Sequence, residues 1–263
     1  MFHLLDAWEA SLARITSFFP GHETATNCNG KNLLILPTLH AGKLFYSNLK
    51  RNLENQGFQV GILSVLRDPV SLDFAVDHIA NQIVTAQDNC TLVAHGTGGL
   101  YALVLPEFVK KKIRRLITLG TPFQGARCFH LSHFSYWDYK SEWIHKNLRQ
   151  ASLYPLFYPL SSILDYTYLP SDSTSFGQGR DLWLDIPGNF NLVTREENLR
   201  TILEFLGSPK AMDKQKPILP VKTYQIDLSR FQKSEQKPTK KSAAPKKKAT
   251  PKKKAAPKKK RKT

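Results

Sequence analysis

In the run Leu92-Val93-Ala94-His95-Gly96-Thr97-Gly98-Gly99-Leu100, a short apolar stretch ends in small residues around a single alcohol. The pattern predicts a strand entering a tight turn and a helix leaving it. A hydroxyl held at such a corner faces the free N–H groups of the helix's first turn. With a proton acceptor beside it, that is the layout for nucleophilic attack on an electrophilic carbon and for stabilising the oxyanion that follows. Thr97 is the candidate nucleophile. It is expected at the corner, which usually requires φ above zero, a conformation that a β-branched residue resists, and its methyl crowds the oxygen's line of attack.

A strand further on, the chain reads Leu116-Ile117-Thr118-Leu119-Gly120-Thr121-Pro122-Phe123-Gln124-Gly125. The two runs together resemble the lipase and esterase branch of the α/β-hydrolases, including the class 2 lipases and the PGAP-like acylhydrolases. In that branch an elbow of the form G-H-S-x-G-G precedes a strand ending in L-G-T-P-x-x-G. The resemblance covers about residues 31 to 207 and implies a mainly parallel, doubly wound α/β-hydrolase sheet with a small cap, an acyl or lipid-like ligand, and no cofactor. Carried over by position, it sets Thr97 where the nucleophilic serine belongs, with His95 in place of the leading glycine and Gly99 on the far side.

The departures from the family pattern carry most of the information. The base histidine belongs in the loop before the last helix, where this chain reads Pro187-Gly188-Asn189-Phe190-Asn191-Leu192-Val193, so Asn189 takes its place; no histidine follows His145. An amide does not accept the hydroxyl proton in a useful pH range, and comparable lesions cost on the order of 10⁴ to 10⁶ in rate. The acid position falls on Asp172 of Pro170-Ser171-Asp172, which reads equally as a turn aspartate. After the first strand the relatives carry a His-Gly pair, whereas this chain has Leu36-Pro37-Thr38-Leu39-His40. Backbone donors from Leu39 and Gly98 are the implied oxyanion hole. The resulting expectation is a hydrolase-like domain with impaired or lost catalysis; the alternative is an ester hydrolase or acyltransferase that uses Thr97 with a base from His130, His133 or His145. His95 is expected to pack at the end of its strand, and no metal site is expected, because no histidine cluster has ligand spacing.

Positioning such residues requires strands alternating with amphipathic helices. Strands are expected at Leu33 to Leu36, Phe58 to Val65, Thr91 to Ala94 and Leu116 to Leu119, with a late one near Asp165 to Leu169. Phe45, Leu49 and Leu53 mark one helix face, and Val76, Ile79, Ala80, Ile83 and Val84 mark another. The aromatic-rich stretch from Phe123 to about residue 160 is expected to leave the sheet as the cap. Thr194-Arg195-Glu196-Glu197 reads as a capping box opening a final helix with Leu199, Ile202, Leu203 and Leu206 on its buried side. Leu4, Leu5, Trp8, Leu12, Ile15, Phe18 and Phe19 predict an amphipathic lead-in helix within residues 1 to 30, and residues 208 to 232 read as a linker.

Charge is distributed unevenly along the 263 residues. Residues 233 to 263 hold fifteen Lys/Arg against Glu235 alone, a net +14 of the chain's +17, which leaves +3 for residues 1 to 232. Basicity therefore belongs to the tail and not to the fold. Pro245, Pro251 and Pro257 each precede a lysine triplet: Lys246, Lys247 and Lys248; Lys252, Lys253 and Lys254; Lys258, Lys259 and Lys260. Arg261 and Lys262 complete the series. With almost no apolar residue larger than alanine, the tail is expected to be disordered. It resembles the tails of linker histones and histone-like bacterial proteins, and its end resembles a nuclear-localisation signal. Lysines at this density favour sequence-independent, salt-sensitive binding to nucleic acid, with an anionic membrane surface as the competing partner. Three cysteines without paired spacing, an N-terminus interrupted by Asp6 and Glu9, and no apolar run of 18 residues fit a cytoplasmic protein, nucleoid-associated in a bacterium or nuclear in a eukaryote.

Overall fold

Apolar runs too short for helices build the centre of the molecule as strands. The computed structural model describes residues 28–39, 41–66, 71–129, 132, 134–170, 172–177 and 181–207. These all fall in the first of two units, Met1–Gln225; the expected lead-in helix, the linker and the basic tail lie outside the described residues. Six strands, β1 (Leu33–Leu36), β2 (Val60–Ile62), β3 (Cys90–His95), β4 (Ile113–Leu119), β5 (Leu156–Leu164) and β6 (Leu182–Pro187), form one sheet. Their order is β2-β1-β3-β4-β5-β6 and every pairing is parallel. A parallel sheet needs crossover helices, which cover both of its faces.

Successive side chains of a strand point to opposite faces, and the two cores separate accordingly. Leu34, Leu36, Leu92, Ala94 and Leu116 pack with helices α2 (Leu72–Ile83) and α3 (Thr97–Val104). Leu33, Ile35, Val93, Ile117 and Leu119 pack on the other face with α1 (Ser47–Asn55) and the final helix, Glu196–Leu206. The Ser71 hydroxyl starts α2 by accepting from the Phe74 N–H at 3.1 Å, which satisfies one of the free donors of the first turn. The remaining helices are α4 (Glu107–Lys110), α5 (Glu142–Leu148), α6 (Asn191–Thr194) and α7, the final helix.

The sheet departs from the sequence expectation on its later side. The late strand is not Asp165 to Leu169, which forms a loop, but β5, which begins at Leu156 inside the stretch assigned to the cap. Leu160 and Tyr158 of β5 face the α7 side, so this part of the aromatic region is sheet and not excursion. β6 was not expected at all. The residue at the start of α7 is Arg195, extended and without a side-chain cap bond of its own. The excursion itself runs through 3-10 turns at Arg127–Phe129, Ser135–Trp137 and Arg149–Leu153 and through α5. Its Trp137 is fully buried, packed edge-on against Tyr101 of α3 and stacked on Phe134.

Candidate functional site

The corner between β3 and α3 is Gly96. Its backbone sits at φ 52°, ψ −123°, a region that favours glycine because any Cβ collides with its own chain. Thr97 is not the corner; it is the first residue of α3, so the strain expected of a β-branched residue there does not arise. The nucleophile of an elbow belongs on the strained residue, flanked by small residues two positions away. Ala94 and Gly98 occupy those flanks, His95 and the pair Gly98-Gly99 then keep their family places, and the serine position falls on Gly96, which has no side chain.

The space that a side chain at 96 would need is occupied. A Cβ built on Gly96 lies 2.5 Å from Thr38 Oγ1, 2.9 Å from Thr38 Cβ and 2.8 Å from the Tyr168 hydroxyl, contacts that real Cβ atoms do not make. Thr38 stands where the resemblance implies a glycine, in the loop after β1. The side chain has therefore changed sides of the corner: relatives carry it at the elbow and glycine in the loop, whereas this chain carries glycine at the elbow and threonine in the loop.

Both donors of an oxyanion hole are satisfied internally. In an elbow of this kind they are the N–H after the corner and one from the loop after the first central strand, here Thr97 and Leu39. The Leu39 N–H donates to Thr97 Oγ1 at 2.7 Å, and the Thr97 N–H donates to Thr38 Oγ1 at 3.2 Å. Thr38 Oγ1 also shares hydrogen bonds with Thr97 Oγ1 at 3.1 Å and the Tyr168 hydroxyl at 3.0 Å. Gly98, the expected second donor, also allows close packing: a Cβ there would meet the carbonyl oxygens of Leu36 and Pro37 at 2.6 and 2.7 Å.

His95 is buried beneath the corner. Its Nε2 lies 3.2 Å from the Asn189 carbonyl oxygen and its Nδ1 lies 2.8 Å from the Tyr46 hydroxyl, which in turn accepts from the Thr38 N–H at 2.9 Å. A carbonyl only accepts, so Nε2 carries the proton and Nδ1 accepts from Tyr46. Burial, with Phe45 stacked on the ring and Phe190 edge-on to it, lowers the imidazole to about 4. It is a neutral structural link between the Asn189 loop and the loop after β1, as its expected place at the strand's end suggested.

Asn189 is fully buried and its Nδ2 donates to Asp165 Oδ2 at 2.7 Å and to the Gly120 carbonyl at 2.8 Å. Two acceptors fix the amide's orientation. The carboxylate that faces the base position is thus Asp165, at the end of β5, where Oδ1 also accepts from the Thr167 and Tyr168 N–H groups at 2.8 and 3.1 Å. Asp172 is elsewhere: both of its oxygens accept from the Tyr139 hydroxyl of the excursion, at 2.9 and 2.8 Å. His145 is exposed on α5; His130, His133 and His40 lie outside the described residues. Among the described residues no group of three His, Cys, Asp or Glu side chains could hold a metal ion.

No family model and no curated protein matches this chain. Solved structures do. A monoacylglycerol lipase from Paleococcus ferrophilus is 13% identical with a TM-score of 0.52, covering 69% of this chain and 96% of its own. An α/β hydrolase enzyme from the metagenome of sediments of the Mar Chica lagoon, Morocco, is 16% identical with a TM-score of 0.51, covering 72% and 94%. A structure of the metagenome-derived lipolytic enzymes LipS and LipT is 10% identical with a TM-score of 0.50, covering 72% and 98%. Likeness at these identities establishes the architecture: the chain has an α/β-hydrolase fold.

Proposed function

We propose that this α/β-hydrolase-fold chain is a binding or scaffolding module without ester-hydrolase chemistry, held on nucleic acid by its basic tail. The observation that carries the first half is the glycine at the corner, with Thr38 and Tyr168 in the space that a nucleophile would fill. Acyl transfer at an elbow needs a nucleophilic side chain at the corner, a base beside it and free donors for the oxyanion. Gly96 supplies no side chain, Asn189 no base, and the Leu39 and Thr97 N–H groups are already bonded to hydroxyls. The alternative nucleophile, Thr97, holds its oxygen against Leu39 and Thr38, and His95, the imidazole nearest in sequence, is engaged by Tyr46 and Asn189. This reading places no acyl group at the corner.

The second half rests on sequence. Eleven cations between Lys246 and Lys262 supply the counterion-releasing charge that non-specific nucleic-acid binding requires, without aromatics that would read or stack on bases. The test is a pair of assays on the full chain. Hydrolysis of p-nitrophenyl butyrate is expected to stay at the buffer rate for the parent and for Thr97→Ala alike; turnover lost on that substitution would refute the non-catalytic reading. Retention on duplex DNA, measured beside phosphatidylserine vesicles, is expected to fall when the eleven cations become glutamine.

A further inference from the structure

The end of the sheet opposite the corner carries features that neither half of this reading uses. α4 precedes β4, and the 3-10 turn Arg149–Leu153 precedes β5, so both lie where the parallel strands begin. The Lys110 ammonium ties them, donating to the Leu103 carbonyl at 2.7 Å and to Gln150 Oε1 at 3.3 Å. From this end three apolar side chains face solvent: Phe108 at 63% exposure, Leu153 at 51% and, at the end of α2, Val84 at 36%.

The sequence beside Phe108 is rich in cations. Residues 107 to 115 hold Lys110, Lys111, Lys112, Arg114 and Arg115 against Glu107 alone. Arg114 is exposed although it sits in an interior strand. The pairing of β3 with β4 steps from Cys90↔Ile113 to Thr91↔Arg115, so Arg114 is the extra residue of a bulge, a device that re-aims a side chain out of its ladder. Lys112 bridges to Asp88 at 2.9 Å and to the Val84 carbonyl at 2.9 Å, and Lys111 to Glu107 at 3.3 Å. The Lys111–Glu107 pair is solvent-exposed and Asp88 of the other is exposed while Lys112 is half-buried, so both pairs are expected to be weak.

We infer that this end of the domain is a docking surface for an anionic lipid bilayer, with Phe108 and Leu153 entering the headgroup boundary and Lys111, Lys112 and Arg114 facing the lipid charge. A polynucleotide would use the cations and leave the exposed apolar side chains in water; an anionic bilayer engages both. Among the described residues no helix is long and apolar enough to cross a membrane. The inference does not depend on the tail or on the state of the corner.

The test uses the full chain and its Phe108→Ser/Leu153→Ser and Lys111→Gln/Arg114→Gln variants, sedimented with vesicles of phosphatidylcholine alone or with one third phosphatidylserine, at 0.15 and 0.5 M salt. Both changes are at exposed positions, and the thermal midpoint of each variant is checked against the parent. The serine pair is expected to partition about tenfold or more weakly into the anionic vesicles, as removal of buried apolar area implies. That deficit should persist at 0.5 M salt, where the tail's charge is screened. The glutamine pair should lose affinity mainly at the lower salt. Equal partitioning of parent and serine pair would overturn the inference. So would a serine-pair defect in duplex DNA binding as large as that in vesicle binding, or a parent dimer that the serine pair abolishes.

Discussion

Thr38 and Gly96 share one space: the threonine hydroxyl lies 2.5 Å from where a Cβ at 96 would be. The hydroxyl is fixed there by the Thr97 N–H and by Tyr168, and Tyr168 is backed by Phe129 at 6.1 Å, which packs edge-on to the buried Trp137. The excursion therefore reaches the corner as packed core through a row of aromatic rings.

Gly96→Ala should be destabilised by roughly 1–3 kcal/mol from overpacking alone, with a further cost of about 1–3 kcal/mol for a side chain in this sparsely populated backbone region. Thr38→Gly in the same chain should return the overpacking part and leave the backbone part. A urea-denaturation cycle over the two single variants and the double variant measures this coupling. Additive effects would mean that the two residues do not compete for space.

The Thr97 hydroxyl acts as an acceptor for Leu39. Thr97→Ala leaves that N–H without a partner and should cost about 1–3 kcal/mol, whereas Thr97→Ser should be close to neutral. Urea midpoints of the two variants decide it, and a serine variant as unstable as the alanine one would contradict the assigned bond.

His95 gives a pH signature. Burial holds it at about 4 in the folded chain against an ordinary value near 6.5, so between those limits the unfolded chain binds the extra proton. Its contribution is fully present above pH 6.5, falls as the pH drops through the window and is exhausted near pH 4, a loss of about 3 kcal/mol in all. Stability of the parent minus that of His95→Gln, followed from pH 7 to 4, should decline by this order; a flat difference would mean that the ring takes up its proton in the fold as it does in the unfolded chain.

The tail makes a prediction about salt. Each phosphate neutralised contributes about 0.9 to the slope of log K against log salt. Replacing Lys252, Lys253 and Lys254 by glutamine should lower that slope by about 2 to 3 on duplex DNA of any sequence. An unchanged slope would remove the tail from the contact.

The central strands were legible in the sequence because Leu33 to Leu36, Thr91 to Ala94 and Leu116 to Leu119 are apolar runs flanked by turns, and a strand buried on both faces has no other pattern. β6 escaped because Leu182-Trp183-Leu184-Asp185-Ile186-Pro187 is a short edge strand ending in proline. β5 was hidden by Pro159 and by the aromatics around it. With the late strand expected at Asp165 to Leu169, the acid position falls on Asp172, whereas the carboxylate bonded to Asn189 is Asp165, which follows β5. The corner was misplaced by one residue because the only alcohol in the run is Thr97. The signal that locates it was present: small residues two positions either side, Ala94 and Gly98, bracket Gly96. What no pattern could supply was the partner across the corner, since Thr38 lies 58 residues upstream of Gly96 and only the fold brings its hydroxyl there.

The most direct measurement is covalent labelling of the intact chain with a fluorophosphonate probe, read by whole-protein mass and peptide mapping. The filled corner predicts no adduct in the parent, and none when Thr97→Ser is combined with Asn189→His, because a hydroxyl at 97 is not at the corner. Labelling is expected only when Gly96→Ser and Asn189→His are joined by Thr38→Gly, which reopens the space. A stoichiometric adduct on Thr97 of the unmodified protein would contradict the account.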